Sequence, residues 1–222
     1  MTGPGGPARP ARIANLAGAT AEELKPVVEA VRAGEVIALL TETLWGLSAD
    51  PFSRQAMERL AGLKGREARK GFLCLVPSLD SLAALGVTVD RRMADALRRL
   101  WPSPVTVVLP SARPLPASGG LATVAIRMPD SEALLSFLRE TGPLASTSAN
   151  TEGAPPVSTA IEVERLFGDR LAWIVGGICT PEARPSTLLD ATAIPARILR
   201  PGAGDAAAGR FLLEIEGYPE SL

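Results

Sequence analysis

Ser146-Thr147-Ser148-Ala149-Asn150 places three hydroxyls and a carboxamide in five consecutive positions, directly after the apolar Pro143-Leu144-Ala145. Such side chains compete for backbone hydrogen bonds instead of packing, which suits a strand end opening into a loop. There they can grip phosphate or ribose oxygens. A self-capped turn uses the same residues, and the pentapeptide alone leaves both readings open. A second cluster, Lys64-Gly65-Arg66-Glu67-Ala68-Arg69-Lys70, sets four cations against one anion. It is either a local phosphate site or a solvated surface loop. Arg127 closes an apolar run and precedes Met128-Pro129, so its guanidinium stands at a sheet edge, where the planar fork takes a carboxylate, a phosphate or a structural salt bridge. Arg200 ends Ile198-Leu199 in the same manner, and Ser186-Thr187 precedes Leu188-Leu189-Asp190. Glu42 and Asp190 could assist a metal or a proton transfer, but isolated carboxylates are too common to carry that claim.

The sequence contains no histidine, which removes His-dependent triads, His metal sites and imidazole acid–base chemistry together. Neither a Walker-type loop nor a spaced dinucleotide glycine fingerprint occurs. A net charge of −1 gives no global attraction to nucleic acid or anionic membrane, so any anion site must be local. The two cysteines, Cys74 in an apolar run and Cys179 in a loop-like stretch, fit a reduced, cytoplasmic protein. No apolar run approaches a membrane span, and the Gly/Pro-rich start lacks a signal-peptide core. Trp45 and Trp101 read as core or rim side chains, with stacking on a base the lesser alternative.

These groups must be positioned by strands and helices. With 222 residues and 46% hydrophobic content, one α/β domain with one substantial core is expected. Apolar runs over 36–40, 72–76, 105–109, 123–127, 144–148, 173–175, 187–190 and 197–199 predict strands. Helical spacing over 53–63, 79–85, 91–101, 131–141 and 159–167 interleaves with them. A further helix covers 21–33, with Thr20 and Glu23 as a capping box, although Pro26 leaves its start open. A single twisted mixed sheet, parallel and antiparallel, with flanking helices follows. Its polar runs should meet beyond the strand ends in a concave ligand cavity. Residues 1–11 read as a flexible leader, 12–202 as the domain and 203–222 as a C-terminal extension. Gly202 to Gly209 reads as a loose Gly/Ala connection.

Taken together, the polar stretches resemble the YrdC/TsaC family of threonylcarbamoyl-AMP synthases in its short bacterial form. Thr41-Glu42-Thr43-Leu44-Trp45-Gly46-Leu47 is similar to the family's P-T-[DE]-x-[VA]-[YF]-G-[LV]. Lys64-Gly65-Arg66 with Lys70-Gly71 is similar to K-x-R-P-x-x-K-G-L, and Trp101-Pro102-Ser103-Pro104-Val105-Thr106 to W-P-G-P-[VL]-T. Val124 to Pro129 follows, then Ser146 to Asn150, identical to S-T-S-A-N, then Pro185-Ser186-Thr187 and Leu199-Arg200-Pro201-Gly202. Longer relatives carry a histidine where Leu75 stands and an extra C-terminal domain. Leu40, Glu67, Ser103 and Glu152 depart from the family's residues, proline, proline, glycine and serine respectively, which puts substrate choice and turnover in question more than nucleotide binding.

The resemblance implies a YrdC-like catalytic domain and a nucleotidyltransferase that makes threonylcarbamoyl-AMP and pyrophosphate from L-threonine, bicarbonate and ATP. The activated group then passes to adenosine 37 of tRNA through a downstream transfer complex. It implies Lys64 and Arg66 as catalytic cations on the phosphates, and Ser148, Asn150 and Arg200 as nucleotide-binding, with Ser146 as a second choice. Thr41, Arg127 and Ser186 would bind the amino acid, with Thr43 and Thr106 behind them. Mg²⁺ is expected with ATP, without a ligand set of its own and without a tightly bound cofactor. One alternative is a YrdC-like module that binds tRNA or double-stranded RNA without catalysis. The other is a paralog adenylating a different carbamate, such as the carbamoyl-adenylate domain of hydrogenase maturation proteins, whose acylphosphatase-like and zinc-finger regions this sequence lacks.

Overall fold

The computed structural model describes residues 12–65, 67, 70–176 and 183–216. The leader expected over 1–11 lies outside them, as do Arg66, Arg69 and Cys179. The strands are β1 (Arg12–Ala14), β2 (Ile37–Leu40), β3 (Trp45–Ala49), β4 (Leu73–Leu75), β5 (Val105–Pro110), β6 (Thr123–Arg127), β7 (Leu144–Ser148), β8 (Trp173–Val175), β9 (Thr187–Asp190) and β10 (Arg197–Arg200). Among the described residues they form one sheet in the order β1-β8-β2-β3-β7-β4-β6-β5-β9-β10. The pairs β1·β8, β2·β8, β4·β6 and β5·β9 are parallel. The pairs β2·β3, β3·β7, β4·β7, β5·β6 and β9·β10 are antiparallel, so the mixed sheet expected from the sequence is present.

The helices are α1 (Ala21–Arg32), α2 (Arg54–Lys64), α3 (Ser81–Ala84), α4 (Arg91–Leu100), α5 (Glu132–Thr141), α6 (Ala160–Phe167) and α7 (Asp205–Ile215). Strand side chains alternate between the faces of the sheet, and the burial follows that alternation. Ala38, Leu47, Cys74, Ile126 and Ala145 point into the larger core with Met57 of α2, Leu97 of α4, Phe167 of α6 and Phe211 of α7. Their neighbours Ile37, Leu39, Leu75 and Leu144 face the smaller core with Val27 of α1 and Phe137 of α5. Helices α1 and α5 cover only part of that second face. The remainder, across β3, β7, β4, β6 and β5, stays open.

Three expectations change. Pro26 does not delay α1: the Thr20–Glu23 capping box forms and the helix runs through the proline. The segment after β2 is a hairpin into β3, because Trp45-Gly46-Leu47-Ser48-Ala49 alternates with period two. The stretch read as a loose connection is the start of α7. Alanines at 206–208 have the highest helix propensity, and Ala208, Phe211 and Ile215 bury one face in the larger core.

The turn into α7 is locked onto β9. Asp205 Oδ1 accepts from Thr187 Oγ1 at 2.6 Å and from Gly202 N at 2.7 Å, and Ala203 N donates to Pro185 O at 2.9 Å. A Cβ on Gly202 would lie 2.3 Å from Pro185 O and 2.6 Å from Thr187 N, and backbone atoms cannot move aside. Gly202→Ala should therefore destabilise the fold by about 2–3 kcal/mol, the scale of an overpacked site. Urea unfolding checks this, and an unchanged midpoint refutes it. Cys74 is fully buried, and burial pushes its thiol up to about 12, so it packs without being reactive. No helix among the described residues is long and apolar enough to cross a membrane.

Candidate nucleotide and amino-acid site

The open part of the sheet face is the floor of a cavity of about 520 Å³. Its floor residues share one parity: Gly46 of β3, Ser146 and Ser148 of β7, Leu73 of β4, Ala125 and Arg127 of β6, Thr106 and Val108 of β5, and Leu188 of β9. Most of these side chains are small, and that is why the face is hollow. The polar runs thus meet across the sheet face and not beyond strand ends, because the central strands are largely antiparallel and no single edge collects them.

At one end α2 delivers Lys64 as its last residue, where a cation is favoured by the helix dipole. Lys64 is 5% exposed. Its Nζ donates to Ser148 O and Ser148 Oγ, both at 2.9 Å, and to Asn150 Oδ1. Ser148 Oγ donates to Asn150 Oδ1 at 2.6 Å, and the Asn150 amide reaches Ala154 O. Among the described residues, three acceptors therefore meet the three N–H donors of the ammonium. Lys64 gives a ligand its charge, and a direct bond to a phosphate oxygen requires one of these acceptors to exchange. Asn150 stands behind this cluster and does not line the cavity.

At the other end Arg127, buried, donates from Nη1 to Thr43 Oγ1 at 2.8 Å. Thr43 must then donate to Thr41 Oγ1 at 2.8 Å, and Thr41 to Leu44 O at 2.9 Å. Thr41 Oγ1 also accepts from the backbone N–H groups of Thr43 and Leu44, both at 3.2 Å, so this threonine builds the β2–β3 turn that aims Arg127. Glu42 lies 3.8 Å from Arg127 Nη1, and neither Glu42 carboxylate oxygen nor Arg127 Nε has a hydrogen-bond partner among the described residues. Burial pushes the Arg127 guanidinium below its ordinary value; Glu42 raises it again and Arg200 lowers it. Arg200 Nη2 donates to Ser186 O at 2.8 Å, and Ser186 Oγ meets Thr106 Oγ1 at 2.8 Å. Two guanidiniums, both depressed by burial, face one hollow and call for anions.

Between the two ends Ser48 Oγ donates to Ser146 Oγ at 3.0 Å. Gly46 lies beside them, and a Cβ there would come within 2.8 Å of Ser146 Oγ and 3.2 Å of Thr147 O. Gly46→Ala should push the Ser146 hydroxyl off its partner, at a stability loss of about 1–2 kcal/mol. Urea unfolding tests this, and an unchanged midpoint contradicts it.

The family profile described as "Telomere recombination", Sua5/YciO/YrdC, matches residues 29–202. The chain belongs to the Sua5/YciO/YrdC family. Among similar family members, the threonylcarbamoyl-AMP synthase of Thiobacillus denitrificans is 41% identical over 163 residues, covering 72% of this chain and 86% of that one. The crystal structure of P. abyssi Sua5 complexed with L-threonine superposes with a TM-score of 0.79 at 31% identity, covering 86% of this chain and 57% of that one. E. coli YciO, at 22% identity and a TM-score of 0.77, covers 88% of this chain and 96% of its own and shares the fold.

Of the residues singled out in the sequence of this Sua5/YciO/YrdC member, Thr41, Thr43, Lys64, Thr106, Arg127, Ser146, Ser148, Ser186 and Arg200 line the one cavity. Arg66 lies outside the described residues. In the sequence Glu42 is indistinguishable from any common carboxylate; only its enclosure beside Arg127 marks it. Lys70 of the charge run lines the cavity as well, as do the apolar rim residues Leu121 and Pro156, which carry no signal in the sequence. Leu40, Glu67, Ser103 and Glu152 do not line the cavity.

Proposed function

We propose that this protein is a threonylcarbamoyl-AMP synthase, a nucleotidyltransferase joining L-threonine, bicarbonate and ATP into threonylcarbamoyl-AMP and pyrophosphate. The observation that carries the reading is the arrangement of a buried ammonium at one end of a 520 Å³ cavity and two guanidiniums at the other. A triphosphate beside a small zwitterion fits that charge pattern. Support also comes from the names of the relatives and from the threonine held by P. abyssi Sua5. The departures from family residues all lie off the cavity lining, which favours threonine over a different substrate.

The chemistry suits a site without histidine. Threonine's amine and bicarbonate give the carbamate, with loss of water and a proton to solvent. A carbamate oxygen attacks the α-phosphorus, the bond from the α-phosphorus to the bridging oxygen breaks, and pyrophosphate leaves. Such a displacement needs position and positive charge more than proton transfer. In this reading Lys64, with Arg66, stabilises charge on the phosphates; Ser146, Ser148 and Arg200 hold the nucleotide; Arg127 and Ser186 take the amino acid's carboxylate and hydroxyl side. Asn150 acts through Lys64 and Ser148. Among the described residues no three metal-ligating side chains gather. Mg²⁺, which neutralises phosphate charge, would arrive on the triphosphate with few or no protein ligands. The product would pass to a tRNA-modifying transfer complex in the cytoplasm.

Purified protein with ATP, Mg²⁺, bicarbonate and a single amino acid should release pyrophosphate only with threonine and bicarbonate, with the acyl-adenylate visible by mass spectrometry. Release with another amine would point to a paralog. Absence of any adenylate together with salt-sensitive binding to double-stranded RNA would point to a binding module.

A further inference from the structure

Lys70 lines the cavity, but its ammonium is turned to the carboxylate of Glu152, with which it forms an ion pair at the outer rim. Glu152 faces the outer side of that rim and is not part of the cavity lining. Its backbone is held independently of its charge: Glu152 N donates to Lys64 O at 2.9 Å, and Ala154 N closes the following turn onto Thr151 O at 3.1 Å. The Lys70–Glu152 pair therefore stands beside the Lys64–Ser148 cluster, at that cluster's end of the cavity.

We infer that Glu152 competes with the ligand for Lys70, so that this carboxylate sets how much negative charge a ligand must carry to occupy that end of the cavity. The inference rests on the proposed polyphosphate site and adds to it a residue that selects by charge. A phosphoryl group approaching Lys64 meets Lys70 already neutralised and a carboxylate beside it. It must take the ammonium from Glu152, and a polyanion does so more readily than a singly charged group. When pyrophosphate departs, Glu152 re-pairs with Lys70 and opposes rebinding. Both side chains are about half exposed, 55% for Lys70 and 47% for Glu152, so the competition is weak and salt-sensitive. Exposed pairs of this kind shift an equilibrium by up to about five-fold.

The sign of the effect separates this role from that of a clip holding two loops together. Glu152→Gln keeps the side chain's size and the backbone bond to Lys64 and removes only the charge. Calorimetric titration should show inorganic pyrophosphate and ATP binding about three- to five-fold tighter to E152Q than to the native protein, with the gain fading at high salt and absent for adenosine. Glu152→Ser should give the same tightening, and pyrophosphate should become a correspondingly stronger product inhibitor. Equal or weaker binding of pyrophosphate and ATP by both variants overturns the inference while leaving the enzyme reading intact. A native protein that binds neither ligand overturns the polyphosphate site itself.

Discussion

Arg127→Met should lower kcat/KM for threonine by about 10²–10³ and also destabilise the fold, and the two losses should separate in a double variant. The activity loss follows from truncating one member of an enclosed charge pair, typically about 2–5 kcal/mol. The stability loss has a different origin. Glu42 keeps both carboxylate oxygens without hydrogen-bond partners among the described residues, and Arg127 is the cation facing it at 3.8 Å. Removing the guanidinium leaves that carboxylate uncompensated, which costs about 3 kcal/mol in comparable pairs. Glu42→Gln in the Arg127→Met background should recover most of that stability, because an uncharged amide tolerates enclosure better than a carboxylate. It should recover none of the activity, since the anion receptor is still missing. Urea unfolding and threonine-dependent pyrophosphate release on the four members of the cycle measure both terms. A wild-type KM for threonine in a folded Arg127→Met protein would remove Arg127 from the proposed site.

The interplay of Arg127 and Glu42 also marks where sequence stops being informative. Strand alternation is a local signal, so β4 to β9 stand where the apolar runs predict them, and Ser146 and Ser148 fall on the hollow side of β7 by parity alone. Arg127 is legible as a strand-terminal cation before Met128-Pro129. Its partner Glu42 is not, because a carboxylate's enclosure depends on a hairpin closing over it. That hairpin is hard to see: Gly46 and Ser48 have weak strand propensity, yet they are small because Ser146 must lie against them. The helix α7 was hidden by composition. Gly202 and Gly204 read as linker residues, whereas each makes a close backbone approach, to Pro185–Thr187 and to Pro104–Val105 respectively. The three-residue β1, with Ile13 exposed, exists only through its pairing with β8 and has no periodicity to detect.

Lys64→Met should reduce turnover by about 10²–10³ while the protein stays folded, and the loss should appear in kcat more than in the KM for ATP. Lys64 Nζ is already bonded to Ser148 O, Ser148 Oγ and Asn150 Oδ1, so in the ground state it acts as an organised charge more than as a ligand contact. Charge matters most when the phosphoryl oxygens carry most of it, in the transition state and on the departing pyrophosphate. Methionine fills the volume of the lysine stem, leaving the three acceptors short of a donor at about 1–3 kcal/mol of stability. Arginine at this position should not restore turnover. A planar guanidinium is too wide for a slot that leaves the native residue 5% exposed, and its fork does not match acceptors converging on one nitrogen. Asn150→Ala should then give a smaller defect than Lys64→Met, because it frees one N–H of the ammonium without removing the charge. Pyrophosphate release at the native rate in Lys64→Met, or an Asn150→Ala defect as deep as that of Lys64→Met, would mean that the amide and not the ammonium governs this end of the cavity.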